Sequence, residues 1–275
     1  MSAPDKFTPA VVTAAACEGA LVLCGIWLAW RCALSPAARQ SRPRLAPWAI
    51  PPVDFVCFLC FAFVGATSLS AAAGYFLRHA RLDSDHYMVA GGAVMHAGIL
   101  LGVLGFFRVY GFRSDPPPGG TSFGRDVRSG LVTFLIGMPV VSLASVAWQY
   151  LLDALGLPDD KQDMVAILQN SHDAPLILLL VSVATLLVPV TEELVFRAGL
   201  FRYFRTRMPR WVAIVGTSAL FGALHMSLAS FMPLTVLAIV FCLAYERTGS
   251  VRTTMVAHAL FNLNTFVIVV AGIGT

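Results

Sequence analysis

Long apolar runs constrain this chain more than any single motif does. They fall near residues 9–30, 48–76, 87–107, 130–152, 175–201, 211–228, 231–246 and 252–272. A helix crosses the hydrocarbon core of a bilayer with about 20 mostly apolar residues. In lipid each segment must also satisfy its own backbone hydrogen bonds, which leaves helices as the natural solution. The runs therefore predict an all-α, polytopic transmembrane helical bundle of about eight spans, with the seventh as the short one. Composition points the same way. Of 275 residues, 57% are hydrophobic and 12% charged, and the mean hydropathy is +0.76. Soluble domains carry roughly a quarter charged residues, and disorder needs low hydrophobicity with high net charge. Both classes are excluded.

The formal charge of +4 is explained by topology, and no nucleic-acid partner is expected. Arg31, Arg39, Arg42 and Arg44 follow the first run, and Arg108, Arg113, Arg125 and Arg128 the third. Arg202, Arg205, Arg207 and Arg210 follow the fifth, and Arg247 and Arg252 the seventh. The other side holds Lys6, Arg78, Arg81 and Lys161, with an acidic stretch at Asp159, Asp160 and Asp163. The positive-inside bias then sets the even-numbered spans to begin in the cytoplasm and both termini to lie outside. Glu18 interrupts the first run and Arg31 closes it, so that run reads as a retained helix rather than a signal peptide. Pro116-Pro117-Pro118-Gly119-Gly120 marks a loop. The cysteines lie mostly in apolar runs and read as small buried hydrophobes.

One basic residue, Arg197, belongs to no loop. The fifth run reads Pro189-Val190-Thr191-Glu192-Glu193-Leu194-Val195-Phe196-Arg197. Charges at mid-bilayer cost at least a few kcal/mol and are functional candidates by default. Glu193 and Arg197 are four apart and share a helix face, so they can pair. Glu192 projects about 100° away, leaving a second carboxylate free to face a cavity as a general base or acid. The sixth run contains Phe221 and His225, and the eighth His258 and Asn262, again four apart. At about 1.5 Å per residue, Glu192 and His225 lie roughly 22 Å from the arginine-rich flank and His258 roughly 16 Å. These depths let the groups meet at one level. Glu18, His96 and Asp54 have no partner at helical spacing and read as structural. Gly98 and Gly102 form a small-residue spacing that marks close helix packing.

These segments resemble the CPBP family, which groups type II CAAX prenyl endopeptidases with bacteriocin-immunity-like membrane proteins. Its pattern is E-E-x-x-x-R, then F-x-x-x-H, then H-x-x-x-N on successive spans. Here it reads Glu192-Glu193…Arg197, Phe221…His225 and His258…Asn262. The resemblance implies an intramembrane endopeptidase acting on a membrane-associated or lipidated substrate of the CAAX type. Carried over by motif position, Glu192 activates water with help from His225, while His258 and Asn262 stabilise the oxyanion. Glu193, Arg197 and Phe221 would support them. If zinc is used, Glu192, His225 and His258 would be its ligands, but H-E-x-x-H is absent. A ligating Glu192 would also be poorly placed to act as base. The reading therefore favours no metal.

Residues 1–170 are expected to form N-terminal transmembrane helices and loops, and residues 171–275 the protease-like core. Two other functions compete. A proton-coupled transporter also uses intramembrane Glu and His, though no internal repeat of the transporter kind is seen. A non-catalytic immunity or scaffold protein would use the polar cluster only to hold helices together. The expected setting is a multi-pass protein of the bacterial inner membrane, among lipids.

Overall fold

The structure, a computed structural model, describes residues 9–40, 43–80, 82–110, 122–158 and 163–272. Lys6, Arg42, Arg81, Arg113, Asp159, Asp160, Lys161 and the Pro116–Gly120 loop lie outside the described residues. Among the described residues, seven helices are long and apolar enough to cross a membrane. They are α1 (Val11–Leu34), α2 (Pro52–His79), α3 (Ser84–Tyr110), α4 (Phe123–Leu155), α6 (Ala174–Arg207), α8 (Leu228–Thr248) and α9 (Val251–Val270). The remaining apolar run, the sixth, is α7 (Arg210–Ala223), only 14 residues. The short helix is thus the sixth span, not the seventh, which has 21 residues. A further eight-residue helix, α5 (Asp163–Asn170), occupies part of the stretch expected to be an acidic loop.

Two packing units meet at α6. In the first, α3 lies against α2 through small residues. A Cβ at Gly98 would collide with the Gly65 carbonyl oxygen, and one at Gly102 with that of Phe61. The expected small-residue contact is therefore real, and it lets the two backbones touch. Phe55, Phe58 and Phe106 from this pair join Trp48 and Tyr203 in an aromatic core, where Tyr203 stacks on Phe55 at 3.7 Å between centroids. In the second unit α4 packs on α8 and α9. Phe134 meets Phe261 edge-on at 5.0 Å, and a Cβ at Gly137 would meet the Phe261 ring at 2.7 Å. Arg252 pairs with buried Asp126 at 2.7 Å, tying the first turns of α9 and α4 together.

The arginines after the fifth run are not a solvated loop. Arg202 is buried and donates from Nε to the Ala46 carbonyl at 2.9 Å. Arg207 donates to the carbonyls of Trp48 and Ile50. Arg205 and Arg210 each hold one oxygen of buried Glu246 at 2.7 Å. These bonds strap the extended segment before α2 to the end of α6, so the helix is gripped from both sides.

Helix α6 is not regular. It runs as α-helix to Ser182, widens to a π-helix over Val183–Leu187, and returns to α-helix over Val188–Glu193. It then widens again over Leu194–Phe201. Pro189 accounts for the first irregularity. It has no N–H to offer the preceding turn, and the amide of Val188 reaches back five residues to the carbonyl of Val183. Short π stretches inside helices occur frequently at functional sites. Here two of them bracket Glu192 and Glu193.

Candidate active site

Glu193 lies on the buried side of the α-helical interlude, with no side-chain exposure, and pairs with Arg197 Nη1 at 3.0 Å. The guanidinium is sandwiched between Phe221, 4.5 Å from its ring centroid, and Phe241, at 5.2 Å. Flat aromatic faces attract a desolvated cation, and this cation is 1% exposed. The fit is tight but incompletely satisfied. Nε, Nη1 and Nη2 of Arg197 and Oε2 of Glu193 are buried without a hydrogen bond of good geometry.

His258 comes from α9, and its Nδ1 stands 2.9 Å from Glu193 Oε1. A carboxylate already paired with arginine is an acceptor, so Nδ1 is the donor and carries a proton. That fixes the ring with Nε2 pointing at Glu192 Oε2, 3.8 Å away. Glu192 keeps 17% side-chain exposure where Glu193 has none, and its Oε2 is buried without a partner. The pairing expected between Glu193 and Arg197 is present, and Glu192 is the more exposed of the two acids.

His225 departs from expectation in its local structure. Helix α7 ends at Ala223, and His225 lies in the turn after it. No glycine ends the helix. Instead Met226 takes φ +51°, a left-handed conformation that is uncommon for a residue with a Cβ. Ser227 then caps α8 by accepting from the Ser230 amide. The imidazole folds back so that its Nδ1–H donates to the Phe221 carbonyl at 2.8 Å, which leaves Nε2 bare in the neutral ring. Phe221 explains the spacing of its motif. Its ring carries Arg197 on one face and lies 4.8 Å from His225 and 6.1 Å from His258 between centroids.

Asn262 is drawn to the first π stretch. Its Nδ2 donates to the Ala184 carbonyl at 2.7 Å, which lies five residues before Pro189 and receives no amide from it. A side chain inserted at an interrupted turn is a recognised way of stabilising such a break. One N–H of the amide is thereby committed to α6, and the second is not.

Sequence reasoning passed over one group. His96 of α3 places Nδ1 2.7 Å from Thr191 Oγ1 and lies within electrostatic reach of Glu192, His225 and His258. The signal was available: an ionisable side chain inside an apolar run. Its partner sits 95 positions away on another helix, where helical spacing cannot find it. Glu18 and Asp54 are not part of this cluster.

The two site imidazoles each donate Nδ1–H to a carboxylate or carbonyl, a pattern also common among metal-ligating histidines. The donors do not converge, however. Among the described residues no three His, Cys, Asp or Glu side chains are placed to hold one metal ion. Glu192, His225 and His258, as arranged, do not fit a shared zinc ion.

The fold and site define a polytopic helical membrane protein with a buried acid–imidazole cluster drawn from α6, the turn between α7 and α8, and α9. Residues 174–264 match the family described as type II CAAX prenyl endopeptidase Rce1-like. The chain is 24% identical over 148 residues to "Putative membrane peptidase YdiL" of Bacillus subtilis (strain 168), covering 54% of this chain and 57% of that protein. It thus spans little more than half the length of this relative. No solved structure matches. These findings support the resemblance of residues 174–264 to the CPBP family.

Proposed function

We propose that this protein is an intramembrane endopeptidase that hydrolyses a peptide bond of a membrane-associated or lipidated, CAAX-type substrate. Glu192 acts as the base. The observation that carries this reading is the partnerless Glu192 Oε2 facing His258 Nε2 at 3.8 Å. That gap is too long for a direct hydrogen bond, and in the proposed reaction a water enters between the two atoms. A water there donates one proton to Glu192 and attacks the substrate carbonyl carbon with its oxygen. The proton taken by Glu192 then passes, with His225 assisting, to the leaving amine as the C–N bond breaks.

His258 and Asn262 serve the oxyanion. A second proton on His258, at Nε2, gives the cluster Glu192, Glu193, Arg197 and His258 zero net charge, which a low-dielectric site favours. The same proton is then a donor to the developing negative oxygen, held in place by Glu193. The uncommitted N–H of Asn262 is the second donor. The protein is proposed to act in a bacterial inner membrane, with its arginine-rich end in the cytoplasm.

The test uses the purified full chain with an internally quenched, prenylated CAAX-type peptide and its unprenylated counterpart. Cleavage is expected with wild type and lost with Glu192→Gln and His225→Ala. Equal turnover in all three would overturn the reading. Turnover unchanged by EDTA is expected, and turnover lost with EDTA and restored by Zn²⁺ would overturn the metal-free route.

A further inference from the structure

We propose that His96, supplied by a helix outside the family-matched segment, is a positioning residue that aims Glu192. The proposal rests on Glu192 as the base.

The contact is built from rigid parts. Helix α3 is locked to α2 by the backbone approach at Gly98 and Gly102, within two turns of His96. The imidazole Nδ1 then meets Thr191 Oγ1 at 2.7 Å, within part-buried surroundings. Thr191 itself is 1% exposed and is the residue immediately before Glu192. It sits in the six-residue α-helical interlude between the two π stretches. Its hydroxyl also lies 3.0 Å from the Val188 carbonyl and 3.2 Å from that of Leu187. With the single hydroxyl proton given to those carbonyls, Oγ1 accepts from His96 Nδ1–H. The bond then fixes the rotation of the interlude about the helix axis. Glu193 is fixed separately by Arg197 and His258, whereas Glu192 Oε2 makes no hydrogen bond and reaches His258 only at 3.8 Å. The His96–Thr191 bond supplies an anchor through the backbone.

A geometric shift of about 1 Å at a reacting group can cost on the order of 100-fold in rate. His96→Ala and Thr191→Val are therefore expected to lower kcat on the prenylated peptide about 10- to 100-fold with KM little changed. The double variant should fall no further than either single one. His96→Asn, which returns an amide N–H near the place of Nδ1, should recover most of the loss. A second readout needs no substrate. A hydrophobic carbodiimide labels intramembrane carboxyl groups, and mass spectrometry can compare Glu192 with Glu18 as an internal reference. His96→Ala and Thr191→Val should change the Glu192 labelling rate several-fold, with Glu18 unchanged and His96→Asn close to wild type. Unchanged Glu192 labelling in His96→Ala, equal changes at Glu18, or additive losses in the double variant would each overturn the proposal. If wild type cleaves neither peptide while Glu192 labelling still responds to His96, the proposed activity fails and the positioning role stands.

Discussion

Two buried glutamates on neighbouring helices take arginine partners in different ways. Glu246 holds one arginine on each oxygen, both at 2.7 Å, and these arginines keep 32% and 40% side-chain exposure. Every charge there has a partner or water. Glu193 has one arginine, fully enclosed, and shares the same oxygen with His258. Beside it Glu192 Oε2 is buried without a hydrogen bond, 3.8 Å from His258 Nε2. The first arrangement is a staple holding α6 and α7 to α8. The second leaves polar groups unsatisfied in a place where each costs about 1–3 kcal/mol, and structure alone does not require that cost. Incomplete satisfaction, more than burial, separates the site from the staple.

The sharpest way to break this comparison is Glu192→Gln. Removal of a general base is expected to cost about 10²–10⁴-fold in turnover, with the melting temperature in detergent unchanged or raised. A large loss of stability would place Glu192 with the staples. Arg197→Met should act oppositely. It strands Glu193 in the interior, at about 3–5 kcal/mol, seen as lost folded protein by size-exclusion chromatography. Adding Glu193→Gln to it should restore much of the yield, because the stranded charge is gone.

Glu246→Gln should cost less, about 1–2 kcal/mol, because both arginines can turn to water. Turnover per folded molecule should stay at the wild-type level, and its loss would erase the difference between staple and site. Asp83 sets the floor of the scale. It precedes α3, and its Oδ1 accepts from the His86 amide at 2.9 Å. This bond, with a second to the His86 side chain, holds its pKa below the ordinary 3.8. Such a group stabilises the fold above its ordinary pKa, and the contribution is lost as pH falls through the folded value. Asp83→Asn should lower the melting temperature slightly near neutral pH, and the difference should shrink in acid.

The spans were legible because lipid imposes length and apolarity on each segment independently. The Glu193–Arg197 pair was legible too, being a contact within one helix. Other features depend on contacts between distant segments. The sixth span ends at Ala223 because the chain turns at Met226, a residue that carries no turn signal. The first π stretch follows from Pro189 together with an amide that arrives from Asn262, 78 residues beyond Ala184. His96 found its partner on another helix, so absence of a neighbour at helical spacing said only that the neighbour was elsewhere. The proposed division near residue 170 must therefore allow α3 to contribute to the cluster.

The paired wide turns of α6 carry one more consequence. Each accommodates a residue beyond regular helical pitch, and so offsets the angular phase of the helix beyond it by about 100°. Residues 188–193 are thus dialled separately from the segments on either side. The two ends of the helix can present greasy faces to the acyl chains while the carboxylates between them point inward, and deleting one residue from either wide turn would swing those acids towards the lipid.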